Sequence, residues 1–140
     1  MGAEMLVQLI RPDPILLDDP VRPHIPPEKR VGRSKEVWLH IEDKRVDAVL
    51  CVRFRSGVPT SEAELWTDSN PYTAVLYSVW SYQRGAGRKI VREFLDLYQP
   101  IGIVKRIVTL SPKTDMARDF HLRNGAKVLQ VNKTTVNYEY

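Results

Sequence analysis

The sequence predicts an α/β fold: one mixed, mostly antiparallel sheet with a central parallel crossover and helices on both faces. Three observations carry this. Several short runs alternate apolar and polar residues with the two-residue period of half-buried strands. Two stretches, one on each side of the strand-like run Val104 to Leu110, carry helix signals. Thr73 to Trp80 is dense in β-formers and apolar on both faces, as a strand inside a sheet must be.

Along the chain, Met5 to Ile10 reads as an opening strand ended by Arg11-Pro12-Asp13-Pro14. Six prolines between Pro12 and Pro27 rule out a regular helix or central strand there, so residues 11–34 form an irregular segment. Its Ile15, Leu16, Leu17, Val21 and Ile25 predict that it packs on the body. Val37, Leu39 and Ile41 share one face of a strand, and Asp47 to Phe54 returns antiparallel to it after the turn Glu42-Asp43-Lys44. Residues 56–72 hold turn signals around the short piece Glu62 to Trp66.

After the Thr73 strand, Arg88 to Tyr98 sets Ile90, Val91, Phe94, Leu95, Leu97 and Tyr98 at helical spacing, and Pro100 and Gly102 stop it. The unit from Thr73 to Leu110 is therefore expected to be a right-handed parallel crossover. Ser111-Pro112 reads as an N-cap with proline at the first helical position, and Asn124-Gly125 as the end of that helix. Ala126 to Val131 and Thr134 to Tyr140 read as a closing hairpin.

At 140 residues, 43% hydrophobic and 27% charged, the chain is the size and composition of one soluble domain spanning residues 1–140. No apolar run approaches the roughly 20 residues of a membrane span, and Glu4, Arg11 and Asp13 interrupt any leader pattern. The expected location is the cytoplasm, with no membrane partner. The single Cys51 lies in an alternating run and reads as a buried small hydrophobe. The net charge of +4 suits an anionic cofactor.

The stretch that points to chemistry is Tyr82-Gln83-Arg84-Gly85-Ala86-Gly87-Arg88-Lys89, a glycine-rich basic turn between strand and helix. Gly85 and Gly87 let the backbone take positive φ and let an anion approach its amides. The helix start adds unpaired N–H groups and the positive end of the dipole, and Arg84, Arg88 and Lys89 add formal charge. A pyrophosphate suits such a turn. In an open α/β sheet it also lies where ligands bind, at the carboxyl end of a strand.

These residues resemble the GCN5-related N-acetyltransferase (GNAT) family, whose fold runs in the same order. Its turn reads Arg or Gln, two residues, Gly, one residue, Gly or Ala; Arg84 and Gly87 match, and Lys89 stands where a small residue is expected. A second block, Ala117 to Ala126, resembles the family's helix with Ala117, Phe120 and Gly125 in register. The resemblance implies acetyl-coenzyme A as cosubstrate and a primary amine, on a small molecule or peptide, as acceptor. It implies that Ser78, Val79 and Trp80 pair with the pantetheine arm, that Arg84 to Lys89 hold the pyrophosphate, and that Thr114 and Phe120 lie near the cofactor. His121 occupies the place of a tyrosine that protonates the thiolate, and Thr114 that of a common asparagine.

Transfer also requires a base for the acceptor ammonium, and Glu64, then Asp68, are the candidates on the loop leading into the cofactor strand. His24 and His40 stand apart from other ligand types in the sequence, which predicts no metal site. The alternative reading is a catalytically inactive GNAT fold with a structural or partner-binding role. The second half resembles, more loosely, a small internal virion protein of T7-like phages, so a phage virion-associated protein is the form that alternative takes. Lys29, Arg30, Arg33 and Lys35 raise nucleic-acid binding as a third class, but Glu36, Glu42 and Asp43 break the basic run, so nucleic acid is not the expected partner. Edge strands at the C-terminus offer pairing in a homodimer.

Overall fold

Alternation, more than propensity, places the first strands. The computed structural model describes residues 3–140. β1 (Glu4–Leu9), β2 (Lys35–Glu42) and β3 (Arg45–Arg55) run antiparallel, and the β2–β3 turn places Asp43 and Lys44 at φ +54° and +63°. Two successive left-handed residues match the twist of the flanking strands, so the expected hairpin forms where the charges cluster.

After a single-turn helix α1 (Glu62–Leu65), β4 (Thr73–Ser81) joins β3, and α2 (Ala86–Tyr98) crosses to β5 (Arg106–Thr109). The chain then forms β6 (Ser111–Pro112), α3 (Asp115–Arg123), β7 (Lys127–Val131) and β8 (Thr135–Glu139). The sheet order is β1-β2-β3-β4-β5-β8-β6, with β7 on β8, and among the named strand pairs only β4–β5 is parallel. No helix of the described residues is long and apolar enough to cross a membrane.

The sheet sorts its side chains to two cores. Ala48, Leu50, Val52, Ala74 and Leu76 face α2 through its Ile90, Val91, Phe94 and Leu95. Val37, Val49, Cys51, Val75 and Tyr77 face the other way, onto Leu65 of α1 and onto Leu16 and Ile25 of the proline-rich arm. The arm is thus packed on the body as expected, through two 3-10 turns at Pro14–Asp18 and Pro27–Lys29. Leu17 and Val21, counted among its apolar anchors, are exposed. Its deepest anchors are polar: Arg30 is fully buried, donating to Asp19 Oδ2 at 2.7 Å, to the Arg22 carbonyl at 2.7 Å and to the Ile25 carbonyl.

Two local readings are corrected. Ser111-Pro112 does not open a helix, because tertiary pairing with Val136 and Thr135 makes it β6. Thr114 caps α3 instead, its Oγ1 accepting from Ala117 N at 3.2 Å. β5 is also shorter than the run Val104 to Leu110, since the strands around it part after four residues. Gly125, at φ +97°, follows α3 in the left-handed conformation its sequence predicts.

Candidate functional site

The parallel pairing of β4 with β5 covers only Thr73 to Leu76 against Arg106 to Thr109, and the last tie is Leu110 N to the Leu76 carbonyl at 3.1 Å. Tyr77 is then the extra residue of a bulge, since Cys51 opposes Ser78 while Val52 opposes Leu76. Beyond it the two strands form a fork. A cavity of about 330 Å³ opens there, walled by Ser78 to Ser81 on one side, Thr114, Ala117, Phe120 and His121 of α3 on the other, and Pro20 and Val21 of the arm at one end. Ser78, Val79 and Trp80 pair with β3 but have no strand partner toward β5.

Arg22 of the arm sits in the crotch of the fork. Its Nη1 donates to the Tyr77 carbonyl, its Nη2 to the Leu110 carbonyl at 2.9 Å, and its Nε to Glu62 Oε1 at 3.1 Å. Burial lowers the guanidinium pKa, and Glu62 and Asp19 oppose that. Burial likewise works against the Asp19 carboxylate, but hydrogen bonds from the Arg22 and Val21 amides and from Arg30 hold it below its ordinary value. Tyr82 ties the arm to the end of β4, accepting from Trp80 Nε1 at 3.0 Å and donating to Asp18 at 2.6 Å.

The glycine-rich turn leads out of this fork. Gly85, at φ +83°, is the N-cap of α2 and supplies no side-chain cap; the N–H groups of Gly87 and Arg88 have no backbone partner in the turn. Arg84 and Arg88 are exposed beside them. Gly87 serves a different purpose from the one expected: its φ is not positive, but an added Cβ would lie 3.2 Å from Phe120 Cε1, so it allows α2 and α3 to approach. Lys89 is also corrected. Its Nζ turns to Glu4 at 2.8 Å and Glu42 at 3.6 Å, away from any anion on the turn, and the Glu4 hydrogen bond raises its pKa.

The expected proton-transfer groups fare unevenly. His121 lines the cavity but is 5% exposed, with Nδ1 2.7 Å from Tyr140 Oη and its ring stacked on Tyr138. Burial pushes its pKa down to about 4, so it is neutral at neutral pH and has no imidazolium proton to give. Glu64 and Asp68 do not line the cavity. Glu64 accepts from Thr60 N at 2.8 Å and Thr60 Oγ1 at 3.0 Å, which holds its pKa low and ties it to the residue before the Ser61 cap of α1. Asp68 is exposed, 3.7 Å from Arg55.

What the sequence did not reveal is the group tied to the fork through Arg22. Glu62 accepts from Arg22 and lies 2.6 Å from His24 Nε2, a contact across 38 positions that no linear spacing announces. His40 is likewise not isolated: its Nδ1 is 2.5 Å from Glu93, and Glu4 and Glu42 flank its Nε2. Cys51 is buried as expected, and burial lifts its thiol to about 11, far from a nucleophilic thiolate.

No family model matches the sequence, and no curated protein matches it by sequence. Solved structures do match. A GNAT-family protein of Desulfovibrio desulfuricans superposes with a TM-score of 0.65 over 99% of this chain and 98% of its own, at 13% identity. This chain has the GNAT fold. The N-acetyltransferase PseH of Campylobacter jejuni, solved in complex with acetyl coenzyme A, matches with a TM-score of 0.56 over 78% of this chain and 69% of its own, at 13% identity. Malonyl-CoA decarboxylase of Cupriavidus metallidurans matches with a TM-score of 0.71 over 98% of this chain, at 16% identity. This chain spans 60% of that decarboxylase and 35% of the one from Agrobacterium vitis, so in those proteins the GNAT fold is part of a longer chain.

Proposed function

We propose that this chain binds acetyl-coenzyme A and transfers its acetyl group to a primary amine of a small molecule or peptide. The observation that carries the reading is the fork between β4 and β5 opening onto an uncapped, glycine-started helix with Arg84 and Arg88 beside it. A pantetheine arm fits an apolar cleft whose β4 wall, Ser78 to Trp80, has main-chain groups without a strand partner, in the manner of strand addition. A pyrophosphate suits Gly85, Ala86, Gly87 and Arg88 with Arg84; Thr114 and Phe120 form the opposite wall.

Within this reading, an amide of the Ser78 to Trp80 edge polarises the thioester carbonyl, as oxyanion-type stabilisation. The acceptor ammonium must lose a proton before it attacks, and no Asp or Glu lines the cavity. We assign that step to water entering the cavity. The amine nitrogen then attacks the thioester carbon, the C–S bond breaks, and the nitrogen's second proton passes through water to the departing coenzyme A thiolate.

A second reading, a GNAT fold that binds a partner without transfer, is favoured by the neutral His121 and by the lack of a carboxylate in the cavity. The β7 edge, with Val128 and Val131 exposed, is where two copies would pair. Calorimetric titration with acetyl-coenzyme A separates the readings, using ATP as a phosphate control and an Arg84→Glu plus Arg88→Glu variant. Binding that the double variant loses supports the cofactor site, and coenzyme A release in an amine screen supports transfer. No binding by folded protein leaves the partner-binding role.

A further inference from the structure

β1 and β2 place Glu4 directly opposite Glu42, a like-charge cross-strand pair that needs a cation, a role Lys89 Nζ of α2 now serves at 2.8 and 3.6 Å. His40, two positions before Glu42, comes from the same strand and is 1% exposed. Its Nδ1 lies 2.5 Å from Glu93 of α2, so that nitrogen carries the proton and Glu93 accepts it. The other ring nitrogen faces Glu4 Oε1 at 3.8 Å and Glu42 Oε2 at 3.7 Å, and it has no hydrogen-bond partner. A buried polar atom left so costs about 1–3 kcal/mol and is rare enough in folded proteins to require a cause. The donor that stands against the two carboxylates, Lys89 Nζ at 2.8 Å from Glu4 and 3.6 Å from Glu42, makes no bond to His40 Nε2.

We propose that this is a divalent-cation site, with His40 Nε2, Glu4 and Glu42 as ligands and Glu93 fixing the imidazole from behind. The three ligand atoms lie within 4.8 Å of one another, and bonds of about 2.0–2.2 Å are within reach of two glutamates on partly exposed side chains. A carboxylate on the far nitrogen of a ligating histidine is the usual support of such a ligand. One imidazole and two carboxylates suit Zn²⁺, Co²⁺ or Mn²⁺ over softer ions, with the remaining positions filled by water. Lys89 Nζ, at 2.8 Å from Glu4, neutralises part of the charge. It is half exposed and makes no bond to His40, so an entering ion displaces it toward solvent. None of these residues lines the acyl cavity, and the site does not depend on the acetyltransferase reading.

The test titrates the full chain, stripped with chelator, with Zn²⁺ by calorimetry and with Co²⁺ by visible absorption. One ion per chain is expected. Glu4→Gln plus Glu42→Gln, at positions exposed enough to spare the fold, is expected to abolish binding; Glu93→Gln to weaken it about 10–100-fold; and Lys89→Ala to tighten it. His24→Ala removes the competing His24–Glu62 pair and is expected to leave affinity unchanged. Failure of the folded chain to bind either ion would falsify the proposal. So would binding that survives the double glutamine variant or is lost in His24→Ala. Nitrogen-15 shifts showing both His40 ring nitrogens protonated in the presence of Zn²⁺ would overturn it as well.

Discussion

An imidazole walled into the fork at 5% exposure holds its proton only far below neutrality. For His121 the ordinary value of 6.5 applies to the unfolded chain and about 4 to the folded one. Between those values the unfolded state binds the extra proton. The contribution of neutral His121 is therefore fully present above pH 6.5 and is lost as pH falls toward 4. His121→Gln, which keeps a polar partner for Tyr140, is expected to remove that slope: urea unfolding at pH 7, 5 and 4 should show the wild type losing stability relative to the variant. Equal losses would mean that His121 titrates alike in the folded and unfolded chain. The sequence placed this residue on the helix that is α3, because helix signals are local, and only the family resemblance pointed it toward the cofactor. Its protonation state was not legible, because burial comes from Tyr138 and Tyr140, strands away.

At the scale of elements, the arm behaves as a clasp fastened by charge. The Arg30 and Asp19 side chains are both fully buried and paired at 2.7 Å. Arg30→Met leaves Asp19 without its partner and is expected to cost about 3–5 kcal/mol, whereas Arg30→Met with Asp19→Asn should cost clearly less, because no lone charge remains inside. Denaturant titration of the three proteins yields the coupling; additive losses would mean that the pair is not a unit. The elements that could be read from sequence were those specified by neighbours in the chain: the β2–β3 hairpin, α2 with its apolar stripe, and the β7–β8 hairpin. Ser111-Pro112 carried a good local helix signal and lost to pairing with β8. The same division runs through the site. The turn from Tyr82 to Arg88 is contiguous and was legible, while Arg22, His24 and Glu62 meet only through the fold.

For the whole molecule, the fork is finished by a residue from the other end of the chain. Arg22 finds its partners 40, 55 and 88 positions away, at Glu62, Tyr77 and Leu110. The β2–β3 and β3–β4 pairings close far shorter loops. Chain-closure entropy therefore sets an order in time: the antiparallel hairpins form first, and the arm docks only once β4, α1 and the end of β5 stand ready together. Pulse-labelled hydrogen exchange during refolding should protect the Val21 and Arg22 amides after those of β3 and β4; simultaneous protection would contradict this order. A chain emerging from unfolding thus has a sheet before it has a binding site, and until Arg22 arrives the carbonyls of Tyr77 and Leu110 stand bare, an open edge that another chain can occupy in its place.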